Sequence, residues 1–132
     1  MSTLVDTTVW SLAYRRRTAS DPRARRLIDL VNRDEAVIIG AVRQELLSGI
    51  HDPREYAAVR QRMRAFSDLA LNEEHYERAA EFFNHCRSRG VQDSNTDFLI
   101  CAAAESHGLS IFTADRDFEN FAKHLPIRLF SP

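Results

Sequence analysis

The chain alternates short apolar runs with longer stretches whose apolar residues recur at helical spacing. Leu4-Val5 is the first run and ends on Asp6; Val9, Trp10, Leu12, Ala13 and Tyr14 then read as a helix, with Arg15-Arg16-Arg17 as its basic exit. Ser20-Asp21-Pro22 is a helix start, with Asp21 able to cap and Pro22 in the first turn. Ala24, Leu27, Ile28 and Val31 follow on one face. Ala36-Val37-Ile38-Ile39 is a β-branched run that predicts a buried parallel strand. A helix is expected from Ala41 to about Gly49 and another from about Pro53 to Phe66. Leu69-Ala70-Leu71 reads as a third strand. Asn72 stands at an N-cap position, with Glu73 and Glu74 complementing the dipole of a helix that runs to near Gly90.

A polar loop, Gln92 to Thr96, leads into Asp97 and the block Phe98-Leu99-Ile100-Cys101-Ala102-Ala103-Ala104. A helix that is apolar on all sides must be buried on most of them. Gly108 suits its C-terminal end. Ser110-Ile111-Phe112 is a fourth strand, a short helix runs to about Lys123, and Ile127-Arg128-Leu129 is a final strand. Strands that alternate with helices predict an α/β fold: a three-layer α/β/α sandwich around a central, mostly parallel sheet of about five strands. The length of 132 residues fits one domain, residues 1–132, with no repeat or linker.

Composition adds limits. A hydrophobic fraction of 44% and a charged fraction of 28% are those of a soluble globular protein. No apolar run approaches the ~18 residues of a membrane span. The chain enters a strand pattern at once, without a basic-then-apolar leader, so a cytoplasmic protein is expected. Cys86 and Cys101 form no CxxC pair and read as reduced, buried thiols. A net charge of −1 excludes a strongly basic nucleic-acid binder. All but one of the 18 basic residues are arginine, whose planar fork suits phosphate, although genomic base composition explains the bias equally well.

The acidic residues carry the candidate chemistry. Asp6 and Asp115 each follow a predicted strand, and ligand crevices in parallel sheets lie outside the strands' carboxyl ends. Asp97 opens the buried helix, and Glu45 lies on the helix after the second strand. Each has an ordinary reading. Asp6 and Asp115 could be helix caps, Asp97 could interact with a helix N-terminus already capped by Thr96 or Asn95, Glu45 could be solvated, and Asp117 could sit in a first turn. The combination is harder to dismiss. Two carboxylates about 4 Å apart repel by roughly 4 kcal/mol at an effective dielectric near 20. Four in one crevice require protons or a cation. All-oxygen ligation suits Mg2+ or Mn2+, and no Cys/His pattern supports zinc. A metal so held lowers the pKa of bound water and offsets charge on a phosphoryl oxygen, which is the chemistry of phosphodiester hydrolysis.

Four blocks in this order resemble the PIN-domain family, and within it the VapC-type toxins of bacterial toxin–antitoxin pairs: Val5-Asp6-Thr7-Thr8-Val9-Trp10, Glu45-Leu46-Leu47-Ser48-Gly49, Asp97 to Ala104, and Thr113-Ala114-Asp115-Arg116-Asp117-Phe118. The resemblance spans nearly the whole chain. It implies a dimeric, Mg2+- or Mn2+-dependent endoribonuclease in which Asp6, Glu45, Asp97 and Asp115 match the acidic quartet as catalytic metal ligands. Thr113 matches a hydroxyl that orients the last acid, and Asp117 is accessory. Asp93 has no counterpart and reads as a loop residue. Cys101 departs from the family's more frequent alanine. The resemblance also implies a cognate antitoxin whose C-terminal segment covers the crevice near residues 21–33 and 53–66. Arg15, Arg16 and Arg17, and Arg60, Arg62 and Arg64, are candidate RNA-backbone contacts. Two other readings remain: a nuclease-inactive domain of this kind that binds RNA or protein, and a receiver-type phosphoacceptor domain, which would need a lysine late in the sheet.

Overall fold

The computed structural model describes all of residues 1–132 except Arg17 and Ala19. Arg17, one of the arginines expected to meet RNA, therefore lies outside the described residues. Three strands form a parallel sheet: β1 (Thr3–Val5), β2 (Ala36–Val37) and β3 (Ser110–Phe112), in the order β2-β1-β3. The chain moves from β1 to one side and then returns to the other. Right-handed crossovers place the two sets of connecting helices on opposite faces of such a sheet. The point where the direction reverses lies between β1 and β3, where the carboxyl ends leave a crevice.

The helices are α1 (Thr7–Trp10), continued by a π-helical turn over Ser11–Arg15, then α2 (Pro22–Asn32), α3 (Gly40–Leu47), α4 (Pro53–Met63), α5 (Glu73–Ser88), α6 (Asn95–His107) and α7 (Asp117–Ala122). Their starts follow local chemistry. Asp21 and Asp52 accept hydrogen bonds from Arg23 N–H (2.8 Å) and Arg54 N–H (3.1 Å), each just before a proline. Asn72 and His75 form a reciprocal capping box at α5. Gly108 closes α6 in the left-handed conformation, φ 65°, where an added side chain would be strained.

The core is continuous. Leu4 and Val5 of β1, Ile111 and Phe112 of β3, and Phe98 to Ala104 of α6 are buried together with Trp10, Leu27, Leu46 and Phe121. α6 is apolar on every side because it lies along α5 and against β3. Cys86 and Cys101 are free and buried. No helix among the described residues is long and apolar enough to cross a membrane.

Two expected strands shrink to single bridges. Ile38 pairs with Asp68 and Ile111 with Leu129, both parallel, at opposite edges of the sheet. The outer segments are short and have one neighbour each, and Ala70 is exposed, so nothing extends the ladder beyond one register pair. The first of these edges is fixed by side chains instead. Arg43 donates from Nε to Asp68 Oδ1 (3.0 Å), from Nη1 to Met63 O (2.8 Å) and from Nη2 to Phe66 O (2.6 Å).

Candidate metal centre

β1 ends on Asp6, and its backbone continues the ladder through Asp6 N–H to Phe112 O (2.8 Å). The Asp6 side chain is thus set at the switch point, only 2% exposed. Its Oδ1 accepts from Thr7 N–H (2.7 Å). Its Oδ2 accepts from the hydroxyls of Thr8 (2.9 Å) and Thr113 (2.8 Å). Those hydroxyls are oriented in turn, since Thr8 Oγ1 accepts from Ala114 N–H (3.0 Å) and Thr113 Oγ1 from Asp115 N–H (2.9 Å). A hydroxyl whose oxygen is occupied by an N–H directs its proton elsewhere, here to Asp6. Burial raises the Asp6 pKa above the ordinary carboxylate value; the three hydrogen bonds oppose this, and the nearby charge of Glu45 adds to it.

Thr113 therefore differs from its expected role. Its proton orients Asp6 rather than the carboxylate of Asp115; Asp115 is touched only through its backbone N–H.

Asp97 is the third residue of α6. The cap is Ser94, whose Oγ accepts from Asp97 N–H (3.2 Å), rather than Thr96 or Asn95. The cap thus lies one residue before Asn95 and two before Thr96, and it leaves Asp97 buried in the first turn. Its pKa is pushed up to about 8, first by burial, then by a hydrogen bond with Asp93 and by the charges of Asp93, Asp6 and Asp115. Burial also works to raise Asp93, but hydrogen bonds from Asp97, from Ser94 N–H (2.8 Å) and from Asp117 outweigh it and hold Asp93 below its usual value. Asp97 is thus shifted towards its protonated form and Asp93 towards its charged form. Asp117 is raised by its hydrogen bond with Asp93 and by the charge of Asp115, whose Oδ1 accepts from Asp117 N–H (2.9 Å).

Carboxylate oxygens of Asp93, Asp115 and Asp117 lie within 4.8 Å of one another. The charges of Asp6 and Asp115 reach Asp97, and the charge of Glu45, exposed on α3 and on the wall of a groove of about 340 Å³, reaches Asp6. The close group is therefore Asp93, Asp115 and Asp117; of the four acids singled out from the sequence Asp115 belongs to it, and Asp97, Asp6 and Glu45 are linked to it through their charges. Asp93, read from the sequence as a loop residue, stands inside the cluster. Its one signal was its place four residues ahead of Asp97, on the loop entering α6.

The donor set is entirely carboxylate, its negative charges oppose one another, and no Cys or His belongs to it. These features fit a hard divalent cation such as Mg2+ or Mn2+. The basic candidates divide. Arg16 lines the groove beside Glu45. Arg15 turns to Glu55 (3.9 Å), Arg60 stacks over the Tyr56 ring (5.7 Å), and Arg62 donates to Tyr14 O (2.9 Å).

Comparison with known proteins places this site in a family. The family model described as PIN domain matches residues 3–124. VapBC from Salmonella typhimurium, solved with bound DNA, superposes with a TM-score of 0.76 at 19% identity, over 98% of this chain and 97% of that one. FitAcB from Neisseria gonorrhoeae gives 0.75 at 18%, over 98% and 97%. A toxin–antitoxin complex from Klebsiella pneumoniae gives 0.64 at 17%, over 89% and 90%. At such identities the likeness is one of fold. A comparison with curated protein sequences gave no match. The family model covers nearly the whole chain, from β1 through α7, and with it each of the acids described above: the chain belongs to the PIN domain family.

Proposed function

We propose that this protein is a metal-dependent endoribonuclease that acts as the toxin of a toxin–antitoxin pair. The observation that supports the reading is the carboxylate group of Asp93, Asp115 and Asp117 at the carboxyl end of the sheet, with buried Asp6 and Asp97 close enough for their charges to act on one another. A site built from so many carboxylates destabilises the empty fold, and a bound cation reverses that cost.

Asp6, Asp97, Asp115 and Glu45 would hold Mg2+ or Mn2+, with Asp93 and Asp117 beside them. When bound, the metal supplies an activated water and offsets charge on the phosphoryl oxygens. The chain's own contributions are distinct. Thr8 and Thr113 fix the Asp6 carboxylate so that ligation needs no reorganisation. Asp97 and Asp93 would both have to be charged to hold the cation, whose charge would favour that form. Glu45 lies on the wall of the groove and its charge reaches Asp6.

Support for a toxin role comes from the PIN membership and from fold likeness to a toxin–antitoxin complex. The reading includes a cognate antitoxin, a homodimer and a cytoplasmic setting. An antitoxin arginine placed among the carboxylates would substitute for the metal's charge.

The test is cleavage of purified RNA with Mg2+ or Mn2+ and analysis of the ends. Water attack leaves 5′-phosphate and 3′-hydroxyl termini. A 2′,3′-cyclic phosphate would mean attack by the ribose hydroxyl and would overturn the mechanism; no cleavage with either metal would overturn the activity.

A further inference from the structure

The groove beside Glu45 holds features that metal ligation does not use. Thr7, Arg16, Arg23, Glu45 and Ala114 are on its walls. A second groove, of about 380 Å³, shares Arg23 and Ala114 with it and contains Asp115 and Arg116. The two adjoin at Arg23 and Ala114, with Glu45 on the wall of one and Asp115 on the wall of the other.

Arg23 is fixed there. Its Nε donates to Asp21 Oδ1 (3.1 Å) and its Nη2 to Asp21 Oδ2 (3.0 Å), while Asp21 itself caps α2 through Arg23 N–H (2.8 Å). One edge of the guanidinium is therefore anchored to the first turn of an 11-residue helix. Nη1, on the other edge, makes no hydrogen bond among the described residues. Thr7 Oγ1, on the wall of the first groove, is closed off from solvent and also has no partner among the described residues. Buried hydroxyls are normally satisfied.

We propose that the joined grooves hold the sugar–phosphate backbone of single-stranded RNA, with Arg23 as a phosphate-binding residue at their junction and Arg16 as a second contact. The inference rests on the ribonuclease reading and deepens it. The carboxylates repel a phosphate chain, so the strand needs cations on the flanks of the acidic centre, and Arg16 and Arg23 are the arginines on the wall of the groove that reaches Glu45. Asp21 offsets part of the Arg23 charge, so the contact depends on the fork's geometry, which lysine lacks.

The experiment compares KM and kcat for single-stranded RNA with Mn2+, and binding of a fluorescent RNA oligonucleotide in EDTA, across a range of salt. Arg23→Ala raises KM about tenfold with kcat close to the wild-type value, and weakens binding in EDTA to match. The slope of log KM against log salt becomes shallower by roughly 0.7, the loss of one single-strand phosphate contact. Arg23→Lys does not restore KM. Arg16→Ala, which removes no hydrogen bond of its side chain among the described residues, gives the same signature. Arg78→Ala, on α5 beside Glu105 at the opposite end of the sheet, changes neither quantity. Wild-type KM and salt slope in a folded Arg23→Ala protein would overturn the proposal. If that variant fails to fold, wild-type values in Arg16→Ala overturn it instead. Absence of cleavage by the wild-type protein is a different result: it removes the ribonuclease reading itself.

Discussion

Thr113 and Asp6, 107 positions apart in the chain, are joined by a 2.8 Å hydrogen bond from the threonine hydroxyl to Asp6 Oδ2. The same hydroxyl accepts from Asp115 N–H (2.9 Å), so one oxygen couples the carboxyl ends of β1 and β3. Replacing Thr113 by valine keeps the shape and removes both links. Loss of such an outer partner lowers metal affinity or activity by roughly 10–100-fold, and the stability cost is about 1–2 kcal/mol. Mn2+ titration by calorimetry, with thermal melting, checks both. An unchanged Mn2+ affinity would remove Thr113 from the site's support.

Asp6→Asn separates stability from function. The buried charge is lost, but the amide NH2 then faces either Thr7 N–H or the two hydroxyls that donate to Oδ2, so the metal-free protein melts no higher than the wild type. Cleavage falls by at least about 100-fold, more than for an outer partner. A variant that melts higher and keeps its activity would contradict both roles.

The raised Asp97 pKa gives a pH dependence of defined sign. Its folded value of about 8 lies above the ordinary 3.8. The stability contribution is therefore fully present below pH 3.8 and is lost as pH rises through about 8. Asp6, also raised, acts in the same direction. Asp93, lowered, acts in the opposite sense, contributing stability that is lost only in acid, below its usual range. Metal-free protein should thus melt lower at pH 9 than at pH 6, and stabilisation by Mn2+ should grow over the same interval. Melting curves at a series of pH values, with and without Mn2+, measure this directly.

Asp93→Asn tests the residue the sequence did not flag. Removing its charge takes away a cause of the Asp97 shift, and an amide N–H donates to the Asp97 carboxylate. The Asp97 titration should move below 8, and the pH midpoint of Mn2+ affinity with it. Carboxyl NMR across the titration reports it; a midpoint that stays near 8 would show that burial alone sets the shift.

Trp10, the only tryptophan, is fully buried and donates from Nε1 to Val5 O (3.0 Å), directly before Asp6. Its ring also packs on Phe66, with centroids 4.9 Å apart. Trp10→Phe leaves the Val5 carbonyl unsatisfied and costs about 1–3 kcal/mol. Denaturant unfolding followed by circular dichroism gives the value.

Much of the fold was written locally. The caps at Asp21, Asp52 and Asn72, the left-handed Gly108 and the all-apolar stretch from Phe98 to Ala104 each specify their element through groups a few residues apart. The edge segments near Leu69 and Leu129 were legible as extended chain, but their pairing depends on neighbours far away in sequence, and these allowed one bridge each.

The acids divide in the same way. Asp6, Asp97 and Asp115 stand out by sequence because each follows or opens a regular element, and Glu45 because it lies on the helix after the second strand. The sequence by itself determined the residue types, their order along the chain and the parallel α/β framework, because propensity and capping act over a few residues. Only the tertiary structure decided that Thr113 serves Asp6, that Asp93 stands against Asp115 and Asp117, and that Arg23 lies on the walls of two grooves. Those relations arise from loops brought together when β1 and β3 pair, and their energies depend on distance and burial, which folding alone sets.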